Sequence, residues 1–333
     1  MNPRVSIIIV NWNGEKFLPE LFVSLKKQSF RDFEVVLVDN ASSDGSKSLV
    51  KHLSQNSPFS IRMVELSTNR GFAGGNIEGL KYCSGNYIAL LNNDTVADEN
   101  WLAELVEAID THPDVGICAS KLIVHGTNII DSAGDGYAKS LKGLKRGEGE
   151  NSERFDQHEY VFGACGGAAL YRREMIEEIS FLDEDFFLIH EDTDFNFRAQ
   201  LAGWKVLYVP TAVVHHKVRS SIGYMSDTAV YYTLRNSEFV RLKNVPFGVF
   251  LRCLPEFIIG MITEFIYFPI RHRQCKLYFK AKMDVVRVLP KLLRKRAVIM
   301  KNRKVSDCYI MNIMTPVWQR DFLMTKLKKL LHG

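Results

Sequence analysis

Hydrophobic residues in the first part of the chain come in short runs that stop abruptly at polar clusters. Val5-Ser-Ile-Ile-Ile-Val10 ends in Asn11-Trp-Asn-Gly14, and Phe33-Glu-Val-Val-Leu-Val38 ends in Asp39-Asn40. A third run, 61–66, precedes Asn69-Arg-Gly-Phe-Ala-Gly-Gly-Asn76; a fourth, Tyr87-Ile-Ala-Leu-Leu91, stops at Asn92-Asn93-Asp94. Short runs with no polar alternation predict strands buried on both faces of a sheet. Between them apolar residues recur at helical spacing, as in Phe17, Leu21 and Leu25. Strands alternating with helices predict βαβ units with right-handed crossovers. The fold class is therefore α/β, a mostly parallel sheet flanked by helices. Ligands of such sheets sit beyond the carboxyl ends of the strands, where every polar cluster falls.

The regularity breaks after Asp110. Residues 115–124 predict another strand and 128–137 a hairpin or loop. Residues 139–159 are charged and glycine-rich, which predicts a mobile surface loop. Order resumes at 160–170; residues 186–194 lead into a helix ending near Leu201, and 204–214 predict further extended structure. Beyond 240 the character changes. Residues 247–270 are strongly apolar but carry Arg252, Glu256 and Glu264, which with Gly260 recur every four residues and share about 120° of a helix. A spanning helix wants roughly 20 residues without such charges. The pattern predicts a helix lying in a membrane interface or packed on the protein.

Charge sharpens the division. The net charge is +5, but 20 Lys and Arg against 5 Asp and Glu lie from Arg241 onward, leaving 23 basic and 33 acidic residues before it. An acidic body (1–240) and a basic helical region (241–333) predict an anionic membrane surface as partner of the latter, a solvated basic tail being the alternative. The basic groups there run from Arg271 to Lys304, with Lys326, Lys328 and Lys329 beyond. Six cysteines without a Cys-x-x-Cys pair predict packed, reduced thiols rather than disulfides or zinc. No signal peptide is recognisable, and the reduced thiols with the basic region predict a cytoplasmic protein peripherally attached to the inner face of the membrane.

Several polar residues at the strand ends are candidates for chemistry. Asp94 is an oxygen ligand suited to a hard divalent cation, or else the cap of the following helix. Asp39 is placed to accept hydrogen bonds from a nucleoside, or to cap a turn with Ser42 and Ser43. The loop 69–76 offers close backbone approach and helix-terminal N–H groups to phosphate. It is neither a Gly-x-Gly-x-x-Gly nor a Walker loop. Glu191-Asp192 follows Phe186-Phe187 at a helix start; one acid can serve as a general base, or both can answer the helix dipole. His215 and His216 end an extended run, and alternation sends them to opposite faces, so at most one faces the site.

Taken in order, these pieces resemble the inverting family-2 glycosyltransferases of GT-A fold, rhamnosyltransferase-like members especially. The resemblance runs through Val5–Gly14, Val38-Asp-Asn-Ala-Ser-Ser-Asp-Gly45, 69–76, Leu91-Asn-Asn-Asp-Thr95, Gly163-Ala-Cys-Gly-Gly-Ala168, Glu191-Asp-Thr-Asp-Phe-Asn-Phe-Arg198, His215-His216 and Tyr231-Tyr-Thr-Leu-Arg-Asn236. It implies Asp192 as catalytic base with Glu191 beside it, and Asp94 with His216 as holders of a divalent metal (Mn2+ or Mg2+). It implies nucleotide-sugar contacts from Asn11, Asp39, Asn69, Gly71, Asn76, Asn92, Asn93 and Arg235, and an acceptor side at Gly166 and Gly167. The implied partners are a nucleotide-diphosphate sugar and a glycan or lipid-linked acceptor, with no nucleic acid. Asn92 departs from a strict Asp-x-Asp: it offers a carbonyl oxygen but no charge. A catalytically silent scaffold of the same fold is the rival from another class. A nucleotidyltransferase would want Lys or Arg after the first strand, where Trp12-Asn13-Gly14 stand.

Overall fold

The computed structural model describes residues 2–55, 57–217 and 225–317. In chain order its strands are β1 (Val5–Asn11), β2 (Phe33–Asp39), β3 (Ser60–Glu65), β4 (Tyr87–Leu91), β5 (Thr95–Ala97), β6 (Val115–Val124), β7 (Ile130–Ala133), β8 (Asp135–Ala138), β9 (Lys142–Lys145), β10 (Glu159–Val161), β11 (Ala168–Arg172) and β12 (Lys205–His216). The helices are α1 (Leu18–Lys26), α2 (Ser46–Gln55), α3 (Gly71–Leu80), α4 (Trp101–Thr111), α5 (Arg173–Ile179), α6 (Glu191–Leu201), α7 (Asp227–Asn244), α8 (Phe247–Arg252), α9 (Leu254–Phe265), α10 (Cys275–Lys301) and α11 (Asp307–Ile313).

The main sheet runs β10-β12-β6-β11-β4-β1-β2-β3. Strands β1 to β4 are parallel, β11 enters antiparallel between β4 and β6, and β12 runs parallel to β6. The register aligns Asn11 with Asp39 and Leu91 with Ala168, so the polar ends of β1, β2 and β4 and the start of β11 form one edge. The β-branched and aliphatic side chains of β1, β2 and β4 are buried on both faces, as the unbroken runs require: Ile7 and Ile9 pack on one face, Ile8 and Val36 on the other.

Two expectations change. Residues 139–159 hold β9, which pairs with β8, and a 3₁₀ turn at Ser152–Arg154. Leu141 is buried and Lys142 bonds to Glu264, so a segment poor in apolar residues is pinned by few but well-placed contacts. The boundary near 240 falls inside α7. The helices beyond it share a core with the sheet domain, where Val249, Val285, Leu292 and Ile310 cluster with Tyr137, Phe162, Phe186 and Phe197.

Among the described residues no helix is long and apolar enough to cross a membrane. Two of the three charges that break up 247–270 face the protein: Glu264 is buried between Lys142 and Lys282 and Glu256 accepts from the Val317 N–H, with Gly260 against Ser140. Arg252, on the separate α8, is exposed and pairs with Asp307. Part of the basic run is likewise engaged inward. Lys295 bonds to Asp183 and Asp185, and Arg296 donates to the Leu242 and Val245 carbonyls, while Lys304 pairs with Glu178 at the surface. Lys326, Lys328 and Lys329 lie outside the described residues.

Candidate active site

A cleft of about 950 Å³ opens at the carboxyl ends of β1, β2 and β4. Asn40, Asn69, Gly71, Asn92, Asn93, Asp94, Asp131 and Lys145 line its polar end. The turn after β4 puts Asp94 there because Leu90 and Leu91 are sequestered in the sheet and the chain must reverse into β5. Asn93 is locked from behind: its Nδ2 donates to Asn11 Oδ1 (2.8 Å), and Asn11 Nδ2 reaches Ser42 Oγ (3.3 Å). Asn11 therefore supports the cleft rather than lining it.

His216 resolves the histidine pair. Its Nε2 lies 3.3 Å from Asp94 Oδ1 and its Nδ1 2.8 Å from Asp131 Oδ2, while His215 turns to Asp98 on the other face. Burial opposes charge on His216, but hydrogen bonds to Asp131 and Asp94 outweigh it and raise the ring to about 9. Burial likewise opposes the Asp131 carboxylate, and His216 with Lys145 overcomes it, holding the acid down at about 2. Asp131 and Lys145 escaped the sequence reading. The only signal was an acid set between apolar Ile130 and small Ser132 and Ala133.

Asp39 is buried. Its Oδ2 accepts from the Ser42 N–H at 3.1 Å, so the turn cap forms, but its Oδ1 is buried without a hydrogen-bond partner. A buried carboxylate oxygen without a donor is costly, so one oxygen remains to be satisfied by a ligand hydroxyl or N–H. The neighbouring Asn40, absent from the sequence-based set, bonds to Asn69 Oδ1, the Gly71 carbonyl and the Arg70 N–H.

The loop 69–76 is not the phosphate cradle its glycines suggest. The N–H groups of Arg70, Gly71 and Ala73 already donate to Asn40, Asn69 and the Phe187 carbonyl. Asn76 sits inside α3 with its amide on the Phe72 carbonyl. Gly71 is required for a different reason: its φ is +68°, and a Cβ would strike the Phe187 carbonyl.

That contact ties α3 to the segment before α6, where Phe187, Ile189 and His190 all have positive φ. Such strain persists only where the surroundings over-determine it. Here Asn236 Nδ2 meets the carbonyls of Phe186, Leu188 and Ile189 at 2.7–2.9 Å, and Arg235 donates to those of Asp185 and Phe186. Arg235 thus shapes this loop instead of reaching the cleft.

The loop delivers Glu191 and Asp192 to the start of α6. Asp192 Oδ2 accepts from the Gly166 N–H at 3.0 Å and Oδ1 from the Thr193 N–H at 2.6 Å. Gly166 leaves room for this carboxylate, and the Gly167 carbonyl accepts from the Asn92 N–H. Glu191 is buried with Oε2 unpartnered; burial and the Asp192 charge push its carboxyl well above the ordinary range. Asp135, with Cys165, lies within 4.8 Å of Asp192, and burial plus the Asp192 charge raise it to about 7.

The sequence profile of glycosyl transferase family 2 matches residues 6–180, more than half of the chain. The chain belongs to this family. An uncharacterized glycosyltransferase of Nostoc sp. is 26% identical over 225 residues, 67% of either chain. The poly-β-1,6-N-acetyl-D-glucosamine synthase of Staphylococcus epidermidis is 22% identical over 66% of this chain and 51% of its own, so the chain spans about half the length of that relative. Among solved structures, S. aureus TarS 1–349 in complex with UDP-GlcNAc matches with a TM-score of 0.58 at 21% identity, over 91% of this chain and 89% of that one. The mannosyltransferase PcManGT of Pyrobaculum calidifontis, in complex with GDP-Man and Mn2+, gives 0.56 at 17%, over 99% and 88%. These likenesses show a GT-A-like α/β fold.

Two donor sets in this family-2 chain invite a divalent cation. Asp94 and His216 offer carboxylate oxygen and imidazole nitrogen, and Asp131 behind His216 supplies the carboxylate that commonly orients a metal-bound histidine. The second set, Asp135, Cys165 and Asp192, fits poorly: burial pushes the Cys165 thiol well above its usual value, away from the thiolate a metal needs. Asp94 and His216 are the better fit because Asp94 lines the cleft. The imidazole, held protonated between Asp94 and Asp131, must release the proton on Nε2 to take a metal.

Proposed function

We propose that the chain is an inverting, metal-dependent glycosyltransferase. It moves a sugar, rhamnose in the first instance, from a nucleotide-diphosphate donor to a hydroxyl of a glycan or lipid-linked acceptor in cell-surface polysaccharide synthesis. Its place would be the inner face of the cell membrane, held peripherally on anionic lipid. The observation that carries the reading is the cleft at the strand ends: the amides of Asn40, Asn69 and Asn92 and the Asp94 carboxylate line it, and directly behind that lining stand the orphaned Asp39 oxygen, His216 on Asp94, and Asp192 on the Gly166 N–H. Relatives support it: TarS was crystallised with UDP-GlcNAc and PcManGT with GDP-Man and Mn2+.

Asp39 and the asparagines would hold the nucleoside. Asp94 and His216 would hold Mn2+ or Mg2+, which when bound neutralises charge on the leaving diphosphate. Asp192, oriented by the Gly166 N–H, removes the acceptor proton as the acceptor oxygen attacks the anomeric carbon opposite the departing diphosphate. The bond to the diphosphate breaks as the new glycosidic bond forms, so configuration inverts. The test is to incubate purified protein with a panel of nucleotide sugars and Mn2+ and to follow their consumption by mass spectrometry. Consumption of at least one sugar supports the reading; none, from protein that binds UDP, favours the silent scaffold that Asn92 suggests.

A further inference from the structure

The cleft has a second end. Opposite the Asn92–Asp94 turn it is walled by Leu188, Ile189, Met225, Ala229, Val230 and the pair Tyr267-Phe268. Tyr267 and Phe268 belong to a π-helical turn, Ile266–Arg271, that continues α9. Immediately before them, Phe265 and Ile266 are exposed at 42% and 50%. They end a row along one face of α8 and α9, Phe247, Leu251, Leu254, Ile258 and Ile262, all exposed and spaced by three or four residues. The charged sector of α9 is turned into the protein, so the helix presents its apolar face outward, the reverse of an ordinary surface helix.

A contiguous apolar row of this kind marks an interaction surface. Its surroundings select the occupant. Exposed Arg273, Lys276, Lys280, Arg287 and Arg294 follow directly on the turn and α10, where Asp284 is the one acid between 271 and 304. Apolar side chains beside exposed basic ones suit an anionic bilayer, with the helix at the level of the headgroups.

We infer that this face of α8 and α9 lies in an anionic membrane and that the acceptor is a membrane lipid bearing a hydroxylated headgroup, entering the cleft past Tyr267 and Phe268. The inference rests on the transfer reading and narrows its acceptor to a lipid. The headgroup hydroxyl is drawn toward Asp192 while the acyl or alkyl chain stays with the exposed row.

The test uses the full chain and three probes: vesicles of phosphatidylcholine alone, vesicles of phosphatidylcholine and phosphatidylglycerol, and a diazirine-bearing long-chain alkyl phosphate. Wild-type protein binds the mixed vesicles more tightly than the neutral ones. The combined variant Ile258→Asn, Ile262→Asn, Ile266→Asn, whose positions are about half exposed, melts as wild type and binds UDP with Mn2+ as wild type. Its vesicle affinity falls on the order of a hundredfold. Photolabel maps to residues 225–233 and 265–268. Unchanged vesicle binding by the variant overturns the docking face, as does a wild-type dimer that the variant dissociates. Label confined to α8 and α9, with none in the cleft, overturns the lipid acceptor. A wild-type chain that takes label in the cleft yet binds no UDP and consumes no nucleotide sugar refutes the transfer reading instead, so the two failures are distinct.

Discussion

Lys243→Met is the substitution that best tests whether α7 is a structural part of the catalytic region. Lys243 is 1% exposed, with its Nζ 2.6 Å from Asp183 Oδ2 and 2.7 Å from Asp194 Oδ1. Asp183 opens the turn that leads to Glu191-Asp192, and Asp194 lies in the first turn of α6. Removing one partner of a buried pair costs about 3–5 kcal/mol. Asp183 keeps Lys295, and Asp194 keeps Arg198 and Asn244, so the low end applies. With unfolding entropy scaling with length, about 3 kcal/mol lowers the melting temperature of a chain this size by roughly 4–5 °C. Burial opposes the charge on both aspartates, yet Lys243 outweighs it and both carboxylates sit below their ordinary range. A depressed folded value gives stability that is present above the unfolded aspartate pKa of about 4 and is lost as pH falls through the folded one. The gap between wild type and variant should therefore narrow on acidification below that point. Thermal melts followed by circular dichroism from neutral pH downward measure both effects. A melting point within about 1 °C of wild type at neutral pH, or a gap that widens with acid, refutes the reasoning.

Three other outcomes are expected. Asp94→Ala should lose Mn2+-dependent UDP binding measured by calorimetry, because it deletes the carboxylate facing His216; undiminished metal-stimulated binding would move the cation elsewhere. Asp192→Asn should leave UDP affinity near wild type and lower turnover by about 10²–10⁴, the usual worth of a general base; a parallel loss of binding would make it a ligand or a structural acid. Glu191→Gln should keep the fold and become relatively more stable as pH rises. The raised folded pKa of Glu191 gives stability that is complete below the unfolded value and fades above it, by about 1.4 kcal/mol per pH unit for one proton until the folded value is passed. A pH-independent difference in denaturant melts would mean the carboxyl is ionised in the fold.

The sheet and its ligand edge were legible because burial on both faces leaves a signature in the sequence itself, an apolar run cut off by polar residues. Asp39, Asn92, Asn93 and Asp94 stand at such cut-offs, so position alone nominated them. What sequence could not carry is which polar groups the fold has already satisfied. Asn76 and Arg235 have the right types in the right motifs, yet one donates back to the Phe72 carbonyl inside α3 and the other braces the strained loop at 185–189. Asp131 and Lys145 come from the β7–β9 region, whose strands have too few apolar residues to announce themselves. Residues 247–270 show the same limit in sharper form. Periodicity grouped Glu256, Gly260 and Glu264 on one face, while Arg252, assigned to the same sector, ends the separate α8 and stays exposed. An amphipathic pattern moreover has no sign: it says that two faces differ, not which one meets water. The sign comes from Lys142 on β9 and Lys282 on α10, distant in sequence, which offer Glu264 a better-paired site inside the protein than the surface would. They outweigh burial and hold Glu264 ionised, with its carboxyl near 2. Once that acid is drawn inward, the isoleucines on the far side of the helix have nowhere to go but out.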